Sequence, residues 1–220
     1  MKCLFVVPAR IGSKGIKEKN IFPILGKPLI TYTLDQINEI GQIENTVITT
    51  DSKKISDTVN KAYPNAGIDI RPHHLCNDNS SSDSVLYYIA KKYINKGFSH
   101  LIYLEPTFPI RRSNTILDIL KILNTGFRSV YTVVEENSII GTIENNKFKP
   151  LVQNEPRRRQ DRKPKFKEVS SVYGLEITSF LDRKTIFDPG GKPFIIDKIQ
   201  SQDINEKEDL QLAEYIINNK

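Results

Sequence analysis

KCLFVVPARIGSKGIKEKN, residues 2–20, sets the frame for the whole chain. A continuous apolar run stops at Pro8. Arg10, Lys14, Lys17 and Lys19 then arrive among two glycines with almost no hydrophobic interruption. A short unbroken apolar run is the pattern of a strand buried on both faces, as in a parallel sheet covered by helices. In such sheets ligands bind in the crevice beyond the carboxyl ends of the strands, so the loop leaving this strand lies where an anion could bind. Gly12 and Gly15 allow backbone amides to converge on phosphate oxygens, and Arg10, Lys14 and Lys19 can add charge-assisted bonds. Neither GxxxxGK[ST] nor GxGxxG occurs, so no standard nucleotide fingerprint applies. Composition alone leaves two readings of the loop, an anion cradle and a solvated turn.

Outward from this strand, strand-like and helix-like segments alternate. KPLITYTLDQINEI (27–40) reads as a helix with Pro28 in its first turn. NTVITT (45–50) reads as a strand, residues 53–62 as a helix, and GIDIRP (67–72) as a short strand stopped by Pro72. SSSDSVLYYIAKKYINKG (80–97) is the clearest helix. Val85, Leu86, Ile89, Ala90, Tyr93 and Ile94 form one stripe, Ser82 or Asp83 can cap it, and Gly97 ends it. HLIYLEP (100–106) is another strand, and Ser113 or Asn114 can cap a helix through Leu123. This order predicts an α/β fold with a mostly parallel sheet and helices on both faces. It nominates four loops for the site: residues 10–20, 51–52, 71–84 and 105–111. Residues 51–52 serve equally well as a helix cap.

The second half departs from that rhythm. SVYTVVEE (129–136) and IIGTIENNKFKPLV (139–152) read as strands, the latter a hairpin about Asn145 and Asn146. EVSSVYGLEIT (168–178) is a further strand, and NEKEDLQLAEYIINN (205–219) a helix with Leu210, Ala213, Ile216 and Ile217 inward. Residues from about 136 to 170 are expected to form a smaller β excursion on a single domain, suited to a substrate lid or a dimer contact.

A chain of 220 residues, 38% hydrophobic and 26% charged, fits one globular domain rather than a disordered one. No apolar run approaches a membrane span and no leader-like segment is seen, so no membrane association is expected. Cys3 and Cys76 make no disulfide framework, and a reduced, cytoplasmic protein is expected. Charge is uneven: RRRQDRKPKFK (157–167) carries seven basic residues and one acidic, which accounts for the formal net charge of +6. Such a segment favours anionic partners, including nucleotides and acidic sugars as well as nucleic acid. The near-neutral remainder, and the lack of interleaved aromatic and basic residues, weigh against nucleic acid. His73, His74 and Cys76 in RPHHLC lack a zinc spacing, and no Ser/His/Asp or Cys/His constellation can be assembled from three histidines.

PARIGSKGIKEKN followed by GKPLI resembles the N-terminal signature of the acylneuraminate cytidylyltransferase family, the CMP-sialic acid synthetases and their relatives. Later stretches agree in order: TDS (50–52), RP (71–72) followed by SSSDSV, LEPTFPIR (104–111), RRQD (158–161) and DINEKEDLQLAE (203–214). The resemblance covers nearly the whole chain. It implies a Rossmann-like domain with a small dimerising excursion, hence a homodimer. The implied activity passes CMP from CTP to the anomeric hydroxyl of a 2-keto sugar acid and releases pyrophosphate. Carried over by motif, Arg10 and Lys19 would be catalytic. Arg10, Gly12, Ser13, Lys14 and Asn20 would hold the nucleotide, and Arg71 and Ser82 would contact cytidine. Glu105, Arg158, Arg159 and Gln160 would meet the acidic sugar, and Asp203 with Asn205 would bind Mg²⁺.

Four places leave the family pattern, one of them VSSVYG (169–174), where the family has Asn-Gly and Ser170 and Ser171 stand without an assigned role. The family has D-x-D where this chain has Asp203 and then Asn205, Gln where Glu105 stands, and a small polar residue where Phe108 stands. Asn205 offers an amide oxygen without charge, and Glu105 could partly replace the lost charge. Phe108 either meets the substrate or packs. Glu105 and Asn205 keep a nucleotidyltransferase acting on a sugar-1-phosphate as an alternative. A nucleic-acid-binding protein using the basic segment is a more distant one.

Overall fold

The computed structural model describes residues 1–13, 15–77 and 80–219. The opening apolar run forms β1 (Cys3–Ala9), with Cys3, Phe5, Val7 and Ala9 in one core layer and Leu4 and Val6 in the other. Burial on both faces is what its unbroken apolar pattern predicts. A short hairpin of β2 (Pro23–Ile24) and β3 (Lys27–Pro28) leads into α1 (Leu29–Glu39). Next come β4 (Thr46–Thr50), α2 (Lys53–Ala62), β5 (Gly67–Ile70), α3 (Ser82–Tyr93), β6 (His100–Leu104) and α4 (Ser113–Asn124). The second half contributes β7 (Ser129–Glu136), the hairpin β8 (Gly141–Glu144) and β9 (Lys147–Pro150), and β10 (Lys165–Glu176). It closes with α5 (Ile177–Arg183), β11 (Lys192–Ile196) and α6 (Lys207–Asn218).

Seven strands join in the order β11-β7-β10-β6-β1-β4-β5. Strands β4 and β6 flank β1 in parallel, β5 continues beyond β4, and β11 runs parallel to β7. Only β10 runs against its neighbours, β6 and β7. The sheet is thus mixed and mostly parallel, as the alternating segments predict. Helices α1, α2 and α4 cover one face through Ile30, Leu34, Ile55, Val59, Ile116 and Ile119. Helices α3 and α5 cover the other through Leu86, Ile89, Ala90, Ile177 and Phe180. Helix α6 packs Leu210 and Ala213 against Ile16, Ile24, Leu29, Ile110 and Ile204, which ties it to the loops at the carboxyl edge of the sheet. Among the described residues no helix is long and apolar enough to cross a membrane.

Two helix starts differ from the sequence expectation. At α3 the cap is Ser81, whose Oγ accepts from Ser84 N at 3.1 Å. Ser82 is the first helical residue, and Asp83 instead accepts from Ile186 N at 2.7 Å. At α4 neither Ser113 nor Asn114 caps. Arg112 is the N-cap and makes no side-chain cap bond; Gln200 Oε1 accepts from its amide at 3.1 Å and from the Thr115 hydroxyl at 2.7 Å, which ties the helix start to the segment after β11. Ser52 caps α2, as one of its two sequence readings has it.

Residues 137–164 extend past the paired ends of β7 and β10, on the same edge as the carboxyl end of β6. Asn145 and Asn146 have φ of 50° and 60°, the left-handed pair that a two-residue hairpin turn demands. The excursion exposes Ile143, Phe148, Leu151 and, at its base, Phe166.

Candidate active site

The carboxyl ends of β1, β5 and β6 open onto a cavity of about 600 Å³. The loop after β1 supplies Arg10, Ser13, Gly15, Lys19 and Asn20. Arg71 enters from the end of β5, Ser82 from the first turn of α3, Glu105 from the end of β6, and Asn205 from the segment before α6. Five parts of the fold, spread from one end of the chain to the other, therefore converge where the topology places a ligand.

Local bonds fix the loop after β1. Asp51 Oδ1 accepts from Ile11 N at 2.9 Å, and buried Asn20 donates to the Arg10 carbonyl at 2.9 Å. Gly15 passes so close to the far segment that an added Cβ would lie 2.2 Å from the Asn205 carbonyl oxygen. Lys19 Nζ donates to the Ile204 carbonyl at 2.7 Å and to Asn205 Oδ1 at 3.1 Å. Asn205 in turn donates from Nδ2 to Asp203 Oδ2 at 2.8 Å. Burial lowers the Lys19 pKa from its ordinary value, while Asp203, Glu105 and Asp209 act to raise it. The other oxygen of Asp203, Oδ1, is buried without a hydrogen-bond partner. The segment is held in turn by Ile204 N, which donates to the Thr107 carbonyl at 3.0 Å.

Arg71 is buried and aimed by β4: Nε donates to the Thr49 carbonyl and hydroxyl at 3.2 Å each, and Nη2 to the same carbonyl at 2.8 Å. Glu105 is recessed beside it. Its Oε1 accepts from the Tyr103 hydroxyl at 2.5 Å, and Tyr103 itself is buried. Burial raises the Glu105 pKa above its ordinary value and Asp203 adds to the rise. Tyr103, Lys19 and Arg71 oppose it. Arg111 is also buried, and it braces the wall behind Glu105. It donates to Gln36 Oε1 at 2.9 Å, Thr33 Oγ1 at 2.8 Å, the Ser171 carbonyl at 2.5 Å and the Glu105 carbonyl at 3.3 Å.

Residues 4–216 match the family model described as Cytidylyltransferase. The chain belongs to that family. It is 26% identical over 220 residues to the N-acylneuraminate cytidylyltransferase of Escherichia coli, matching 96% of this chain and 51% of that protein. Against that relative the chain spans about half the length. It is 28% identical over 225 residues to the CMP-N,N'-diacetyllegionaminic acid synthase of Legionella pneumophila, covering 99% of this chain and 97% of that one. Among solved structures it resembles a CMP:2-keto-3-deoxy-manno-octonic acid synthetase complexed with CTP, with a TM-score of 0.73 at 15% identity over 100% of this chain and 99% of that chain. That likeness supports the Rossmann-like cytidylyltransferase fold.

Against this cytidylyltransferase frame, the structure brings together Arg10, Ser13, Lys19, Asn20, Arg71, Ser82, Glu105 and Asn205. Asp203 adjoins them through Asn205. Lys14 lies outside the described residues. Gly12 does not line the cavity, and an added Cβ there would meet nothing within 4 Å. Arg158, Arg159 and Gln160 are exposed on the excursion and do not line the cavity of this chain. Phe108 is buried with Val134, Val169 and Ile196, so it packs. Sequence reasoning missed Tyr103, Thr107, Ser80 and Glu206, which also line the cavity. Tyr103 had a readable signal, a polar hydroxyl two residues before a strand-end carboxylate, hence on the same face.

Proposed function

We propose that the chain transfers a cytidylyl group from CTP to the anomeric hydroxyl of a 2-keto-3-deoxy sugar acid of the sialic, legionaminic or pseudaminic kind, releasing pyrophosphate. The observation that carries this reading is the convergence of Arg10, Lys19, Arg71 and Ser82 in one cavity at the carboxyl edge of a cytidylyltransferase-family sheet. Arg10 and Lys19 would neutralise the triphosphate, Asn20 and Ser13 would place it, and Arg71 and Ser82 would meet the cytidine. The acceptor hydroxyl attacks the α-phosphorus and pyrophosphate leaves, without a covalent nucleotidyl-enzyme. Phosphoryl-type transfer of this sort draws mostly on positioning and charge stabilisation.

Asp203 is the carboxylate that would hold Mg²⁺. Its unpartnered buried Oδ1 is a hard anionic donor, and Mg²⁺ is usually held by one or two carboxylates together with waters and substrate phosphates. Asn205 already bridges Lys19 and Asp203, which suits it to aiming that carboxylate. When bound, the ion supplies positive charge to the departing pyrophosphate.

The excursion at about residues 136–170 is read as a homodimer contact, supported by its exposed Ile143, Phe148 and Leu151. A cytoplasmic setting is supported by the free thiols Cys3 and Cys76 and by use of CTP. Incubation with CTP, Mg²⁺ and a panel of acceptors tests the reading. Pyrophosphate release with a CMP-linked sugar acid is expected. Release only with sugar-1-phosphates, or only with another nucleotide, overturns it. Light scattering of the purified chain is expected to give twice its 25.2 kDa, and a monomer overturns the dimer reading.

A further inference from the structure

The carboxylates that line the cavity among the described residues are Glu105 and Glu206, and no histidine or cysteine lines it. Glu206 is exposed, and its side chain accepts a backbone hydrogen bond in the capping box of α6. Asp51 nearby is tied to Ile11 N. Glu105 differs from both. One oxygen is held by Tyr103, and the carboxylate makes no ion pair among the described residues. The cations around it are committed elsewhere: Lys19 to Ile204 and Asn205, Arg71 to Thr49, and Arg111 to Gln36, Thr33 and Ser171. One oxygen of this carboxylate is pinned by Tyr103, and the residue lines the cavity. A carboxylate held in this way can accept a proton from a group bound there.

We infer that Glu105 is the general base of the transfer, taking the proton from the acceptor hydroxyl as that oxygen attacks the α-phosphorus. The inference rests on the cytidylyl transfer proposed above. The O–H bond breaks and its proton passes to Oε2 of Glu105. The oxygen–phosphorus bond forms, and the bond from the α-phosphorus to the bridging oxygen breaks. Pyrophosphate carries that electron pair away, and Glu105 returns its proton to water. Two structural features suit the role. Tyr103 and the Arg111 bond to the Glu105 carbonyl fix the position of the base. The raised pKa brings the carboxylate closer to working pH, where a base transfers protons most effectively. Besides burial, the groups that set that pKa are Tyr103 from β6, Asp203 before α6, Lys19 from the first loop and Arg71 after β5; Arg111 and Tyr173 also face Glu105.

Glu105→Gln keeps an oxygen for the Tyr103 hydroxyl and removes the base. Its kcat is expected to fall about 10²- to 10⁴-fold with little change in CTP affinity by calorimetry, and the acidic limb of its kcat–pH profile is expected to vanish. Tyr103→Phe supplies an independent arm. It removes a hydrogen bond that favours the ionised carboxylate, so the acidic limb should move to higher pH. Should the unaltered chain be active while Glu105→Gln keeps both its rate and its acidic limb, this inference alone falls. An acidic limb unmoved in Tyr103→Phe also overturns it. An unaltered chain inactive on every 2-keto sugar acid overturns both this inference and the reaction it rests on.

Discussion

Lys19 donates to the carbonyl of Ile204 at 2.7 Å, across 185 positions of sequence. Its second bond, to Asn205, leads on to Asp203. The loop after β1 and the segment before α6 thus close one side of the cavity together. Lys19→Ala removes both this tie and a cation lining the cavity, where the proposed function places the triphosphate. Steady-state kinetics are expected to show kcat/KM for CTP falling by about 10²- to 10³-fold, the scale seen when a single charge-stabilising donor is lost. Lys19→Arg should restore only part of this, because the planar guanidinium cannot reproduce the compact ammonium between Ile204 and Asn205. Full rescue by Arg would show that charge alone matters there.

Asp203→Asn keeps the size of the side chain and the oxygen that accepts from Asn205, but it removes the charge behind the unpartnered Oδ1. Mn²⁺, used as a paramagnetic stand-in for Mg²⁺ in the presence of CTP, is expected to bind the variant more weakly by at least roughly 10- to 100-fold, the range already seen when only an outer-shell partner of a ligand is lost. Electron paramagnetic resonance titration reads this without turnover. Equal Mn²⁺ affinity in the two proteins would remove Asp203 from the metal site.

Gly15 and Gly12 make a matched pair. A Cβ at position 15 would stand 2.2 Å from backbone oxygen, whereas one at position 12 meets nothing within 4 Å. Gly15→Ala therefore forces the two segments apart, an overpacking expected to cost about 1–3 kcal/mol in urea denaturation and to raise KM for CTP. Gly12→Ala should cost little stability. Comparable losses from both would mean that backbone conformation, not crowding against Asn205, governs the loop.

The sequence made β1 legible because burial on both faces leaves no polar position in the run, and helix α3 because its stripe has one period. Helix α5 and strand β11 were not legible. Helix α5 has only seven residues, too few for a period to show, and β11 is an edge strand with Ile195 exposed. The cap of α3 was misplaced by one or two residues because Ser81, Ser82 and Asp83 are all competent caps, and only the backbone chooses among them. That choice leaves the Ser82 side chain for the cavity. Within the site, Arg10, Arg71 and Glu105 could be read from strand ends, and Lys19 from the basic loop that follows the first strand. Arg158, Arg159 and Gln160 could not be located, since a run of charge reports an electrostatic preference and not a position. Arg111 shows the converse. It belongs to a loop nominated for ligand binding, yet its donors go to protein acceptors, a use that depends on β10 and α1 being neighbours.

Cys3 offers a test of the core at the other end of β1. The residue is 8% exposed, and burial pushes the thiol pKa up from 9.0 to about 11. The folded chain therefore holds this proton more tightly than the unfolded chain does. Below about pH 9 both states keep the proton and the contribution to stability is complete. Between about pH 9 and 11 the unfolded thiol ionises while the folded one does not, so stability falls as pH rises, by on the order of 2–3 kcal/mol in all. Lysines and tyrosines titrate in the same window, so the comparison must be with Cys3→Val, which nearly conserves volume and cannot ionise. Urea denaturation at several pH values should show the two proteins separating as pH climbs, with the valine variant losing less. If the two stability curves stay parallel up to pH 11, the thiol does not feel the burial that the structure assigns to it.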